Sequence, residues 1–311
     1  MGTLALLVDR RGSRLELGPN QTLVVHRPDA PCERVGLKAL SEVLLFGDVA
    51  LDSRVLRTLA NAGIALCCLP LRGGDGEALL LGAPTRAASV RHAQHLAYSN
   101  PGWRLALARL TVSHKIAAAE SLSAEPEEDW AQGVAKAADI AALMGVEGAA
   151  SRRHFERIRA RLPAEWGFQQ RKRRPPPDPV NALLSLCYTL VQGPAAQLLV
   201  RAGLDTQLGF LHEAHRDRPA LVLDLIEVAR PHLDAFVVDL INGDMLGLQH
   251  FHQEQGYGPR LDRCGRQLFY PRWFAEGIAL AREPMKALLA AWLELLQDPG
   301  AATELVSCAG A

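Results

Sequence analysis

The chain has 311 residues, 49% of them hydrophobic, which is enough for two ordinary domains and excludes a predominantly disordered protein. Lys and Arg together number 34 and so do Asp and Glu, so the formal net charge is zero and any nucleic-acid role has to come from local charge. The six cysteines form no C-x-x-C pair and are too sparse for a disulfide framework, which fits reduced thiols in a cytoplasmic protein. The start Met1-Gly2-Thr3-Leu4 has no basic region leading into a long apolar stretch, and no window reaches ~18 uninterrupted apolar residues, so the expectation is a protein with no membrane partner.

Up to about residue 84 the chain is broken by turn signals: Asp9–Gly12, Gly18-Pro19-Asn20, Arg27-Pro28-Asp29, Gly47-Asp48 and Gly73-Gly74-Asp75-Gly76. The short apolar runs between them predict strands at Leu4 to Val8, Arg14 to Leu17, Leu23 to His26, Val43 to Phe46 and Ile64 to Leu69. One helix interrupts them from Ser53 to Ala62, with Ser53 as N-cap and Gly63 as its stop. From about Arg86 the chain turns to long Ala- and Leu-rich stretches, predicting helices at 103–121, 130–143, 150–161, 179–191, 194–202, 219–230, 232–246 and 273–296. The expected fold is therefore α+β, with a mainly-β domain over residues 1–84 and a larger all-α domain over 85–311. Residues 124–129 and 163–179 read as irregular, the latter as an exposed, mobile loop because of Pro175, Pro176 and Pro177.

Charge is concentrated between Ser151 and Arg174. Nine basic residues (Arg152, Arg153, Arg157, Arg159, Arg161, Arg171, Lys172, Arg173 and Arg174) face only Glu156 and Glu165. Such a run either neutralises phosphates or forms a solvated helix followed by a basic loop.

The segment P-A-L-V-L-D-L-I-E-V-A-R (Pro219 to Arg230) is apolar nearly all round, so its helix is expected to be buried. Pro219 suits its first helical position. Asp224 and Glu227, three apart, share one face, and two buried like charges need a proton, an arginine or a metal cation between them. Upstream, G-F-L-H-E-A-H (Gly209 to His215) spaces its histidines by three, unlike the H-E-x-x-H zinc pattern. In M-G-V-E-G-A-A-S (Met144 to Ser151), Glu147 is the sole charge among small residues that allow another helix to approach.

These segments, with P-P-P-D-P-V-N-A-L-L-S-L-C-Y-T-L (Pro175 to Leu190) and A-G-L-D-T-Q-L-G-F-L-H (Ala202 to His212), resemble the CRISPR-associated spacer-acquisition integrase, the nuclease of CRISPR adaptation. The β region, with L-L-F-G-D-V-A-L (Leu44 to Leu51) and Arg91 and Gln94 beyond it, is similar to that family too, so the resemblance spans nearly the whole chain. It implies that Glu147, His212 and Glu227 bind Mg²⁺ or Mn²⁺, with Asp224 either a further ligand or a support for one. His215 corresponds to no ligand of the family, and Asn181 and Tyr188 are explained equally by packing, helix capping or DNA contact. The implied activity is metal-dependent transesterification, joining the 3′-hydroxyl of a captured double-stranded DNA fragment to the CRISPR repeat. The implied partners are a second copy of the chain, paired through the β domains, and a small ferredoxin-like adaptation protein. Arg152, Arg153, Arg157, Arg171, Lys172, Arg173 and Arg174 would hold the DNA backbone. The alternatives are a transposon-type integrase with the same residues, a non-catalytic DNA-binding scaffold, and a metal-dependent hydrolase of small molecules. Gly73–Gly76 reads as a hairpin turn, His250 and His252 as a loop or interface, and no cysteine has an evident nucleophile context.

Overall fold

A computed structural model of the chain describes residues 4–28, 30–69, 78–80, 88–122, 130–173, 175–214 and 218–298. The expected turn at Gly73–Gly76, the irregular acidic segment 124–129, Arg174 and His215 lie outside them. The described chain is α+β and divides into two compact units, residues 1–86 with 196–203, and residues 87–195 with 204–311.

The first unit contains two four-stranded sheets. Strands β1 (Leu4–Val8), β2 (Arg14–Gly18), β3 (Thr22–His26), β4 (Glu33–Gly36), β5 (Leu40–Phe46), β6 (Ala50–Leu51), β7 (Ala65–Leu69) and β8 (Ala78–Leu80) assemble in the orders β1-β5-β7-β8 and β4-β3-β2-β6. Alternation drives this arrangement. Leu15, Leu23 and Val25 of one sheet and Leu6, Val8, Val43 and Leu45 of the other are buried in a single core with Val55 and Leu59 of helix α1 (Ser53–Asn61). The N-cap of α1 is Asp52 rather than Ser53, because its Oδ1 accepts the Val55 N–H at 2.9 Å. Gly63, at φ +66°, ends the helix, and its carbonyl accepts hydrogen bonds from Gln197 (2.8 Å) and Arg201. Those bonds tie residues 196–203 to this unit.

The second unit is built from helices α2 (Ala88–Ser99), α3 (Pro101–Ser121), α4 (Trp130–Lys136), α5 (Ile140–Arg161), α6 (Pro179–Leu190), the first part of α7 (Gln192–Ala202), α8 (Ala220–Glu227), α9 (Arg230–Asn242), α10 (Arg263–Arg272) and α11 (Ile278–Gln297). A hairpin of β9 (Phe251–Glu254) and β10 (Gly258–Leu261) departs from the all-α expectation; Gly256 and Gly258, both at φ +81°, supply its turn. The expected helix over 130–143 splits at Asp139, whose carboxylate caps α5 through the Ala142 N–H at 2.8 Å. From there α5 runs unbroken past Gly145 and Gly148, so Glu147 stands in mid-helix. Pro219 is the N-cap of α8, one residue before its expected place.

The expectation of an exposed loop over 163–179 is corrected by its anchors. Trp166 and Phe168 are buried, and Asn181 ties the chain down by accepting from the Lys172 N–H (2.8 Å) and Arg171 Nη1 (2.9 Å) while donating to the Gln170 carbonyl (2.9 Å). Pro179–Ala202 is long and apolar enough to cross a membrane by length and composition alone, but 61% of its most apolar 18-residue window is buried inside the protein.

Candidate functional site

Four elements of the helical unit meet around one small polar centre. Lys115 comes from α3, Glu147 from α5, Glu227 from the end of α8, and His212 from the segment between α7 and α8. α3 packs against α5, α8 and α9, which brings residues 112 positions apart in sequence into contact.

The centre is built on Asp224, which has no exposed side-chain surface. Its Oδ2 accepts the N–H groups of Phe210 (2.5 Å) and Leu211 (2.9 Å), and its Oδ1 accepts the N–H (2.9 Å) and ring Nδ1–H (2.7 Å) of His212. Such a cradle offsets the cost of burying the charge and fixes the histidine's orientation. The segment is pinned further by the Phe210 ring against Trp292 of α11, centroids 5.3 Å apart, and by Arg104 Nε donating to the Phe210 carbonyl at 3.0 Å. Gly209 makes the approach possible: a Cβ there would come within 2.9 Å of Asp224 Oδ2 and 2.7 Å of the His212 carbonyl oxygen.

With Nδ1 committed to Asp224, His212 presents Nε2 on its other side, 3.9 Å from Glu227 Oε1. Burial pulls the imidazole's pKa down, but the Asp224 hydrogen bond and charge, with Glu227, outweigh it and raise the pKa above 6.5. Burial by itself pushes the Glu227 carboxyl up, yet Arg230, Lys115 and His212 surround it and hold its pKa at about 2. Arg230 Nη2 lies 3.0 Å from Glu227 Oε1 and Lys115 Nζ 2.7 Å from Oε2. The same ammonium is hydrogen-bonded to Glu147 Oε1, which also accepts from Ser151 Oγ at 2.7 Å. Glu147 and Glu227 therefore share one cation, the lysine side chain.

Beside this centre opens a cavity of about 540 Å³, walled by Lys115, Glu147, Ser151, Arg171, Arg173 and Arg230. Arg152, Arg153 and Arg157 also line it; Arg152, Arg153, Lys172 and Arg173 are exposed, while Arg171 is held by Asn181 and by Ser185 Oγ at 3.0 Å. Two guanidinium groups lie over the Tyr188 ring, Arg171 at 5.2 Å and Arg230 at 4.8 Å from its centroid. Its hydroxyl donates to Asp234 Oδ1 at 2.5 Å, and His154 Nε2 lies 2.9 Å from Asp234 Oδ2. Arg171 Nε and Arg230 Nε are buried and find no hydrogen-bond partner among the described residues.

Of the residues singled out in the sequence, Glu147, His212, Asp224 and Glu227 thus come together, and the basic segment borders them. Asp224 faces the 210–212 backbone with both oxygens instead of pointing at Glu147. Lys115 gave no motif to notice. Its signal was periodicity: three and four positions before it, Val112 and Thr111 are buried, so the lysine continues the inward face of α3. His154 and Asp234 were missed for the same reason, being 80 positions apart and meeting only through helix packing.

The family model for the CRISPR associated protein Cas1 matches residues 6–274. The chain belongs to the Cas1 family. It is 34% identical over 268 residues to the CRISPR-associated endonuclease Cas1 3 of Thermus thermophilus, covering 84% of this chain and 80% of that one. It is 32% identical over 255 residues to the endonuclease Cas1 1 of Thermodesulfovibrio yellowstonii, covering 76% and 79% respectively. Among solved structures, a Cas1 protein from Thermotoga maritima superposes with a TM-score of 0.82 at 22% identity, covering 95% of this chain and 97% of that one. A casposase bound to its integration product superposes with a TM-score of 0.81 at 17% identity, over 96% and 91%. As a Cas1 chain, the protein is an integrase and endonuclease of CRISPR adaptation.

Proposed function

We propose that Glu147, Glu227 and His212 Nε2 bind a divalent metal ion, Mg²⁺ or Mn²⁺, and that the adjoining basic cavity receives the DNA strand on which this Cas1 protein acts. The observation that carries this reading is the pair of carboxylates drawn onto one shared cation beside a histidine nitrogen, at the mouth of an arginine-walled cavity. As the side chains stand, no three His, Cys, Asp or Glu residues among the described ones are gathered closely enough to hold a metal. The donor set nonetheless fits one: carboxylate oxygens and a neutral imidazole suit a hard divalent cation, and the position between the carboxylates already carries positive charge. When bound, the metal would polarise the scissile phosphate and lower the pKa of the attacking hydroxyl or water.

The chain's own residues supply the rest. Asp224 is a positioning residue that keeps Nδ1 of His212 protonated and Nε2 available. Arg230 fixes Glu227 from one side and lies on Tyr188 with the other. Arg171 and Arg230, each with an unpartnered buried Nε, would donate to phosphate oxygens, while Arg152, Arg153, Arg157, Lys172 and Arg173 neutralise the backbone farther out. The nucleophile is the 3′-hydroxyl of a captured fragment, and attack on a repeat phosphate forms one phosphodiester as another is broken, so no nucleotide is consumed. The protein acts in the cytoplasm as a homodimer paired through its β unit, residues 1–84, with the helical region 85–311 as its catalytic part and a small ferredoxin-like adaptation protein as partner. Solved structures of similar fold include a Cas1–DNA complex, with TM-score 0.64 at 17% identity, and a Cas6-RT-Cas1–Cas2 complex, with TM-score 0.70 at 21% identity over 36% of the matched chain.

The test is joining of a 3′-hydroxyl DNA duplex to supercoiled plasmid with Mg²⁺ or Mn²⁺, using wild type, Glu147→Ala and His212→Ala, with EDTA as control. Loss of joining in both variants and in EDTA supports the site. Joining that survives both substitutions removes it, and DNA binding with no joining by wild type, even with the small partner, would favour a scaffold.

A further inference from the structure

Lys115 stands where the proposed metal would have to act. Its ammonium pairs with Glu147 Oε1 and, at 2.7 Å, with Glu227 Oε2, so one side chain from α3 neutralises carboxylates from α5 and α8 together. Its side chain is only 12% exposed, Glu227 is 3% exposed and Glu147 21%. Buried carboxylates that close would repel strongly without a cation between them. Arg230 does this task only in part: its guanidinium pairs directly with Glu227 and rests on the Tyr188 ring, and it acts on Glu147 through longer-range charge alone.

We propose that Lys115 is a tethered counter-ion that competes with the divalent metal for Glu147 and Glu227, and that metal binding moves its ammonium into the adjoining cavity, where a nucleic-acid phosphate accepts it. This deepens the metal reading above and rests on it.

The physical argument has three steps. An ammonium and a divalent ion cannot share the same two carboxylate oxygens at close range, since their mutual repulsion is large where dielectric screening is weak. Of the two cations on Glu227, the one able to leave is the lysine, a point charge on a flexible four-carbon stem, whereas the arginine is stacked and forked. The place it can go is defined, because Lys115 itself lines the 540 Å³ cavity whose other walls include Arg171, Arg173 and Arg230. An extra positive charge among those arginines is unfavourable on its own and favourable once a phosphate is present. Metal and DNA therefore assist each other's binding through Lys115, and the assistance is reciprocal. A lone metal would bind weakly, which limits cleavage when no DNA end is in place.

The experiment is a titration of Mn²⁺ followed by the electron paramagnetic resonance signal of the free ion, on wild type, Lys115→Met and Lys115→Gln, with and without a short 3′-overhang DNA. Lys115→Gln guards against misfolding, because its amide keeps an uncharged hydrogen-bond donor facing the carboxylates, and circular dichroism checks each fold. Both variants are expected to bind Mn²⁺ roughly tenfold more tightly than wild type without DNA. DNA is expected to tighten Mn²⁺ binding in wild type and to do so far less in the variants. Equal or weaker Mn²⁺ binding by folded variants, while Glu147→Gln still abolishes the wild-type site, overturns the competition and leaves the metal reading intact. Undiminished DNA enhancement in Lys115→Gln overturns the coupling. No Mn²⁺ site in wild type or in either variant overturns both this inference and the metal reading.

Discussion

Asp224 Oδ1 accepts two hydrogen bonds from the same residue, the backbone N–H and the ring Nδ1–H of His212, at 2.9 and 2.7 Å. Position and orientation of the imidazole are thus set by one buried atom. Asp224→Asn replaces an oxygen of that carboxylate with an amino group facing backbone donors. Mn²⁺ binding by calorimetry is expected to weaken roughly ten- to a hundredfold, and unfolding stability to fall by about 1–3 kcal/mol. Wild-type metal affinity in Asp224→Asn would contradict the positioning role.

The cradle also depends on Gly209. A methyl group there would come within 2.9 Å of both Asp224 Oδ2 and Ala220 Cβ. Gly209→Ala is expected to cost about 1–3 kcal/mol in urea unfolding, through strain, and to lower joining activity along with Mn²⁺ affinity. Gly148→Ala is the contrast, since a Cβ there meets nothing within 4 Å and, in the interior of α5, is expected to raise stability by about 0.5–1 kcal/mol.

Glu227 makes stability depend on acid. Burial raises its carboxyl, but Arg230, Lys115 and His212 bring the folded-state pKa to about 2, below the ordinary 4.5. A depressed folded-state pKa means that the contribution is complete above about 4.5 and is lost as pH falls toward 2. With His212→Gln in both proteins, so that the imidazole Glu227 also influences does not titrate, urea unfolding in EDTA should show the Glu227 form more stable than Glu227→Gln by a constant margin from pH 7 to about pH 5. The margin should narrow below that; one that widens in acid would contradict the assigned environment.

The proton on His212 works in the opposite sense. Its pKa is raised above 6.5, mainly by Asp224 against the effect of burial, and a proton on Nε2 excludes a metal from that nitrogen. Mn²⁺ affinity should consequently fall as pH drops through the range of that raised pKa. Titrations at stepped pH check this, and in His212→Gln the dependence in that range should flatten.

Arg171 is expected to act on DNA affinity without changing sequence preference. Each phosphate contact removed lowers the slope of log affinity against log salt by about 0.9 on duplex DNA. Fluorescence anisotropy at several salt concentrations should show a shallower slope for Arg171→Ala. Tyr188→Phe keeps the ring contacts with Arg171 and Arg230 but removes the hydroxyl bonded to Asp234, so its expected effect is on stability, about 1 kcal/mol or more.

Local chemistry was enough to make the broad architecture legible. Short runs between Gly, Pro and Asp announced the β unit, and long Ala-Leu stretches announced the helices, because backbone propensity and side-chain period act over a few residues. Helix ends were less legible. The split before α5 was hidden until Asp139 was seen capping it, and the anchoring of 163–178 depended on Trp166, Phe168 and Asn181 finding partners.

The amino-acid sequence by itself determined the family; Asp224, Glu227 and Glu147 stood out as charges among apolar or small neighbours, and the family resemblance carried the metal-binding expectation onto them and onto His212. Only the tertiary structure decided how those four divide their work. Asp224 turned out to serve the 210–212 backbone and His212 Nδ1, while Glu147 and Glu227 converge on Lys115. The reason is geometric: residues 32 and 112 positions from Lys115 meet it because α3, α5 and α8 pack together, and no local pattern in α3 encodes which charges the other helices bring.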